Sequence, residues 1–199
     1  MKYGVYCDHP WAGMGETPWR NFQGGKLPPE ELTKKIYPEA FLEYKKSSKT
    51  CDNCPIRCWS VHEFYEGDSR FISEAMQGNE PHNFGAKLNI FDAKTILKGH
   101  ALCNDLGLDT DNVCGVIAWA FECYQRGIIT EKDADGLKLE WGNQDVVFEL
   151  LEKIAYRKGI GDILAEGSKR AAELLDGSPY SINIKGKGAG INGEFAFVN

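Results

Sequence analysis

Apolar positions recur at helical spacing through the second half of the chain. Val146, Val147, Leu150, Leu151, Ile154 and Ala155 fall at i, i+1, i+4, i+5, i+8 and i+9, one face of an α-helix that Gly159 ends. Val113, Val116, Ile117, Ala120, Phe121 and Tyr124 form a second amphipathic face, stopped at Gly127. Upstream, Asp92 is placed to cap a helix carrying Ile96, Leu97, Ala101 and Leu102, with its stop at Gly107. Thr130 and Asp133 resemble a capping box in which Asp replaces the usual, longer Glu. Asp162 opens a last helix running toward Gly177, and only Tyr180 to Ile184 reads as a strand.

The first half lacks such periodicity. Residues 8–29 carry Pro10, Pro18, Pro28 and Pro29 with Gly13, Gly15, Gly24 and Gly25. Order there requires that Trp11, Trp19 and Phe22 pack on something. A helix begins after Pro28-Pro29, where Glu30 and Glu31 suit its positive end. It breaks near Pro38 and resumes through Phe41, Leu42 and Tyr44. Residues 66–90, with Gly67, Gly78, Pro81 and Gly85, read as a structured loop. The expected fold is mostly α: one multihelical domain with long irregular loops and little β structure. A loop-rich half covers about 1–90, a helical half about 91–185, and a flexible glycine-rich tail 186–199. The run Gly186-Lys187-Gly188-Ala189-Gly190 lacks the phosphate-loop pattern and a following helix.

Composition narrows the function. The chain has 199 residues and is 42% hydrophobic, enough to bury a core. Its 29 acidic against 23 basic residues give a net charge of −6, which argues against a nucleic-acid surface. No run of about 20 apolar residues is present, so no membrane-spanning helix is expected. The N-terminal residues show no signal-peptide pattern, and seven cysteines cannot all pair internally. Reduced thiols and a cytoplasmic protein are the expectation.

Cys51-Asp52-Asn53-Cys54-Pro55-Ile56-Arg57-Cys58 is C-x2-C-x3-C. Three thiolates this close can grip three corners of an iron–sulfur cube. Zinc is the other reading, with His62 as the fourth ligand of a knuckle, although no second cysteine pair is present. A stand-alone zinc- or iron–sulfur-binding interaction module is therefore an alternative to an enzyme. Cys103, Cys114 and Cys123 lie at helical positions and read as small buried hydrophobes. Cys7 lies in the irregular N-terminus, and His9 and His62 read as surface or loop residues.

A second polar cluster sits between two helices. In Cys103-Asn104-Asp105-Leu106-Gly107-Leu108-Asp109-Thr110, Gly107 suits a left-handed C-cap and Asp109 a following N-cap. Plain capping explains these residues taken alone.

The three-cysteine motif followed some fifty residues later by CNDLGLDT resembles the tungsten-containing aldehyde ferredoxin oxidoreductases. Further segments resemble the family in order: Thr17 to Gly25, Ile117 to Glu122, Arg126 to Thr130, Leu139 to Asn143, Gly159 to Gly167, and Lys185-Gly186. The resemblance covers about residues 17–186. It implies a tungsten (or molybdenum) bis-pterin and a [4Fe–4S] cluster that oxidise aldehydes to carboxylates and pass electrons to ferredoxin or a similar carrier. Cys51, Cys54 and Cys58 would be cluster ligands. Asn104, Asp105, Gly107, Leu108 and Asp109 would form the pterin motif, Asn104 standing where the family has Asp. The family's G-P-E-Y-E loop reads Gly78-Asn79-Glu80-Pro81-His82 here, making Glu80 and His82 the candidate catalytic residues. A relative of the tungsten-dependent aryl-CoA reductases is the neighbouring alternative. The family's N-terminal β-rich domain and fourth cluster cysteine have no counterpart in this sequence. The resemblance thus implies the middle domain of a three-domain enzyme, inactive by itself.

Overall fold

Helix α4 (Thr110–Gln125) is the centre of the fold. Its residues 117–123 are buried without interruption, so this helix is enclosed over its second half rather than merely amphipathic. The computed structural model describes residues 19–23, 29–76, 78–184 and 187–188. Within it the buried apolar side chains form one core, drawing Ile36, Phe41, Phe64 and Phe84 from the first half and Leu97, Trp119, Leu150 and Leu164 from the second.

The chain enters this core through short helices. α1 (Glu30–Thr33) follows Pro29 and tightens into a 3-10 turn, Lys34–Ile36. α2 (Pro38–Leu42) restarts with Pro38 in its first turn, the expected break and resumption. Three antiparallel strands follow: β1 (Lys45–Lys49), β2 (Trp59–Glu66) and β3 (Ser69–Glu74). The register places Phe64 opposite Phe71 and His62 opposite Ser73.

This sheet is the main departure from the expected fold. Residues 66–90 are not a loop throughout. β1 is wholly polar, and β2 buries Ser60, Val61 and His62 in succession, so neither carries the alternation that marks a strand. After the sheet, Pro81–Lys87 forms a π-helical turn. Phe84 of this turn packs on Gly99, where a Cβ would lie 2.6 Å from the ring.

α3 (Ala93–Leu106) starts as expected: Asp92 accepts from the Thr95 amide at 2.8 Å and from its hydroxyl at 2.6 Å. The Thr130–Asp133 box forms its reciprocal bonds, yet the segment after it is a turn and not a helix. α5 (Gln144–Ala155) carries the periodic stripe and is capped by Asn143. It ends before Gly159, where Arg157 adopts φ 52°. The helix expected from Asp162 to Gly177 is two helices, α6 (Ile160–Leu164) and α7 (Gly167–Leu174), parted where Gly167 adopts φ 82°. Gly177 then receives the Trp119 indole N–H on its carbonyl at 2.9 Å.

The strand expected at Tyr180–Ile184 is confined to β4 (Asn183–Ile184), paired with β5 (Lys187–Gly188); Tyr180 ends a 3-10 turn. Residues 189–199, and with them most of the expected tail, lie outside the described residues, as do Cys7, His9 and Trp11. Residues 19–23 are tied down from several sides. Trp19 donates to Asn89 Oδ1 at 2.8 Å, and Asn21 donates to the buried Glu122 carboxylate at 2.7 Å. Among the described residues no helix is long and apolar enough to cross a membrane.

Candidate cofactor-binding site

The junction between α3 and α4 is built by backbone geometry. Gly107 adopts φ 69°, which only glycine takes without strain. The Leu108 amide then reaches back to the Cys103 carbonyl at 2.8 Å, and the Gly107 amide to Asn104 at 3.3 Å. This double closure stops α3 and turns the chain sharply. Asp109 at once caps α4, its Oδ1 accepting from the Asn112 amide and side chain, each at 2.8 Å. The turn leaves Asn104, Asp105, Gly107 and Asp109 exposed at one edge. Beside them lies a cleft of about 120 Å³, lined by Leu108, Asp109, Val113, Ile154 and Leu164 among others. Capping accounts for one Asp109 oxygen. The carboxylate has further lone pairs facing outward, so the edge fits a ligand rich in N–H donors.

The three cysteines occupy the loop between β1 and β2. Cys54 closes a turn on the Cys51 carbonyl at 3.1 Å, and the Thr50 hydroxyl donates to the Cys54 carbonyl. Asn53 (φ 57°) and Arg57 (φ 51°) take left-handed conformations between the thiols, which folds the loop tightly. All three thiols are free; Cys51 is exposed and Cys54 and Cys58 are partly so. Among the described residues no three His, Cys, Asp or Glu side chains converge closely enough to hold a metal. In donor chemistry the loop fits three corners of an iron–sulfur cluster: accessible, unpaired sulfur ligands on eight residues. His62 is not a loop or surface residue. It is buried in β2 at 4% exposure and groups with no such ligand set.

Glu80 and His82 open the π-helical turn, and both are 4% exposed, so neither is a surface group. π-Turns concentrate at functional positions. Glu80 faces a polar cluster that the sequence did not single out. The Ser73 hydroxyl lies 2.8 Å from His100 Nδ1, and His100 Nε2 lies 3.7 Å from Glu80 Oε1. Below the turn, the fully buried Lys87 donates to Asn83 Oδ1 at 2.8 Å, and Asn83 donates to Asp111 at the start of α4. His100 falls on the Ile96–Ala101 stripe of α3, but periodicity does not name its partners, and Lys87 carries no periodic signal of burial, so only packing reveals these contacts.

Burial decides the protonation here. It pulls His100 down from the ordinary 6.5 to about 4. His62 falls likewise to about 4, through burial first and then Lys45 and His100. Both rings are neutral in the fold, so the unfolded chain binds protons first as the pH drops. Their stabilising contribution is complete above 6.5 and is lost as the pH falls through about 4. Urea midpoints are expected to decline steadily from about pH 6.5 to about pH 4.5; a flat profile would contradict neutral burial. Burial also pushes Cys103 and Cys123 up to about 12, and Cys114 well above its usual value. These thiols pack as inert small hydrophobes, as expected.

Residues 9–192 match the family described as "Aldehyde ferredoxin oxidoreductase, domains 2 & 3". The tungsten-containing aldehyde ferredoxin oxidoreductase of Thermococcus kodakarensis is 34% identical over 172 residues, covering 86% of this chain and 28% of that protein. Its counterpart in Pyrococcus furiosus is 33% identical over 180 residues, with the same coverage. An aliphatic sulfonate oxidoreductase, WOR-like subunit, from Pyrococcus furiosus is 35% identical over 147 residues, 70% of this chain and 23% of that one. Among solved structures, the active site complex BamBC of benzoyl coenzyme A reductase, in complex with 1,5-dienoyl-CoA, aligns with a TM-score of 0.74 at 25% identity. That alignment covers 92% of this chain and 28% of the other. The chain thus spans about 28% of the length of the aldehyde oxidoreductase relatives it matches. The matched range, the repeated identity of about a third and the shared fold make this chain a member of the aldehyde ferredoxin oxidoreductase family, corresponding to its middle domain.

Proposed function

We propose that this chain is the cluster- and pterin-holding part of a tungsten oxidoreductase that converts aldehydes to carboxylates and hands the electrons to ferredoxin or a similar carrier. The observation that carries this reading is the family match over residues 9–192, which contains both the three-thiol loop and the exposed α3–α4 edge. Bound tungsten pterin and cluster supply the two-electron redox chemistry and its one-electron exit.

The chain's own residues do the holding and the proton handling. Cys51, Cys54 and Cys58 ligate iron. Asn104, Asp105, Gly107, Leu108 and Asp109 form the pterin edge, with Asp109 accepting from ring N–H groups. Oxidising an aldehyde with water to a carboxylate releases two electrons and three protons. Glu80 and His82, buried beside the core, are placed to take protons where bulk water is excluded. Further domains complete the cavity and the fourth ligand. The free thiols fit a reducing compartment such as the cytoplasm.

Metal analysis of the complete, anaerobically purified protein tests this. Tungsten with iron and acid-labile sulfide supports it; zinc alone supports an interaction module instead. The likeness to the benzoyl coenzyme A reductase complex favours a second reading, reduction of an aryl-CoA, which turnover assays with each substrate separate.

Asp109 offers a sharper check. Asp109→Asn preserves an N-cap oxygen and is expected to shift stability by less than about 0.5 kcal/mol. It removes the carboxylate and adds donors, so tungsten occupancy of the folded protein is expected to fall severalfold. Asp109→Ala loses both, with about 1 kcal/mol of capping. Full tungsten occupancy in the Asn variant would leave Asp109 as a cap alone.

A further inference from the structure

Ser73, His100 and Glu80 come from three separate elements, β3, α3 and the entry to the π-turn, and meet in the interior. They are 0%, 5% and 4% exposed. The Ser73 hydroxyl sits 2.8 Å from His100 Nδ1. The other ring nitrogen, Nε2, faces Glu80 Oε1 at 3.7 Å, longer than a hydrogen bond. The ring is clamped at one edge and aimed at the carboxylate with the other. We propose that His100 is a positioning residue for Glu80: anchored by Ser73, it fixes one carboxylate oxygen and thereby sets how Glu80 takes up and gives up a proton.

With Glu80 ionised, donor chemistry points to one arrangement. An ionised carboxylate only accepts, so the nitrogen facing it carries the hydrogen. Nε2 is then protonated, Nδ1 is bare, and the Ser73 O–H donates to it. The ring is neutral in its buried setting, so it carries one ring hydrogen, placed here on Nε2. His62 from β2, Cys103 from α3 and Cys114 from α4 are titratable groups around the cluster, and each is held in its neutral form by burial. A neutral N–H steadies the carboxylate without the full opposing charge of an imidazolium. Glu80 can therefore still be protonated, as a proton carrier must be.

The proposal rests on the proton role of Glu80 for its catalytic meaning, but its geometry is testable without any cofactor. Nitrogen–proton NMR correlation of the histidine rings in the full 199-residue chain reads the tautomer directly. His100 is expected as the Nε2–H form from about pH 5.5 to about pH 8, and Glu80→Gln should shift its nitrogens. Ser73→Ala should let the Nδ1–H form appear. An Nδ1–H tautomer in the unsubstituted chain, or a His100 spectrum blind to Glu80→Gln, would overturn the proposal.

Kinetics of the complete enzyme then separate the two ideas. His100→Ala should lower kcat roughly tenfold and move its pH profile, a fraction of the roughly 100-fold at stake in the carboxyl group itself. His100→Gln, which keeps a donor, should recover most of that loss. If Glu80→Gln slows turnover while His100→Ala does not, the positioning role is wrong. If Glu80→Gln is silent in kinetics while the spectral link holds, the proton role of Glu80 falls and the clamp by His100 stands.

Discussion

Cys54→Ser is expected to strip most of the iron from the complete protein while leaving the fold intact. A serine hydroxyl is a hard donor that stays protonated near neutrality, whereas iron–sulfur clusters select thiolates. The loop gives up nothing else in the exchange. Cys54 is only partly buried, lies outside the hydrophobic core, and makes its turn through backbone atoms that serine also carries. Stability is therefore expected to change by less than about 0.5 kcal/mol. Iron and acid-labile sulfide per chain, with the electron paramagnetic resonance signal of the reduced protein, measure the loss. Cys123→Ser provides the contrast. Its thiol is buried in the core, so the new hydroxyl should cost roughly 1–3 kcal/mol while iron content holds. Iron retained in Cys54→Ser, or zinc without iron in the parent, would remove the cluster from this loop.

The largest structural effect is expected at Gly161. Helix α6 crosses the end of α5 so closely that a Cβ at Gly161 would lie 2.2 Å from both the carbonyl carbon and oxygen of Lys153. It would also sit 2.7 Å from the Ile154 nitrogen. These are backbone atoms of a helix and cannot swing aside. Gly161→Ala must lift α6 from α5, opening the contacts of Ile160 and Leu164 with the core. We expect a loss of roughly 3 kcal/mol and a Tm lower by about 10 °C. Neighbouring Gly159 is also confined: it adopts φ 55°, and Asp135 Oδ2 accepts from the following amide, that of Ile160, at 2.9 Å. Gly115 is the opposite case. It sits in α4 with nothing within 4 Å of its Cβ position, so Gly115→Ala should stabilise by about 0.5–1 kcal/mol. Thermal unfolding of the two variants decides. Equal and small effects would mean that the α5–α6 contact is looser than this.

Helix α3 shows what periodicity and capping residues can establish without coordinates. Asp92, the Ile96–Leu97 face and Gly107 define its start, its buried side and its stop, because each acts over a few neighbouring residues. The same holds for the stripe of α5 and for the closely spaced thiols at 51, 54 and 58. The family-like segments that follow one another in sequence from Thr17 to Gly186 likewise point to the family, which the family match and the relatives bear out.

Tertiary contacts decided the rest. β1 to β3 have no alternating apolar pattern, since Ser60, His62 and Ser73 are buried as well as Phe64, and polar residues fill inward positions. The split between α6 and α7 uses the φ of 82° that glycine permits at Gly167, but a glycine within a helical pattern does not by itself announce such a break. At Gly99, Gly161 and Gly177 a Cβ would meet Phe84, Lys153 and Trp119, neighbours that only the packing of separate elements brings there. Local rules of capping and period are written in consecutive residues. Burial of His62, His100 and Glu80 in one place is a long-range consequence of packing, and no window of sequence contains it.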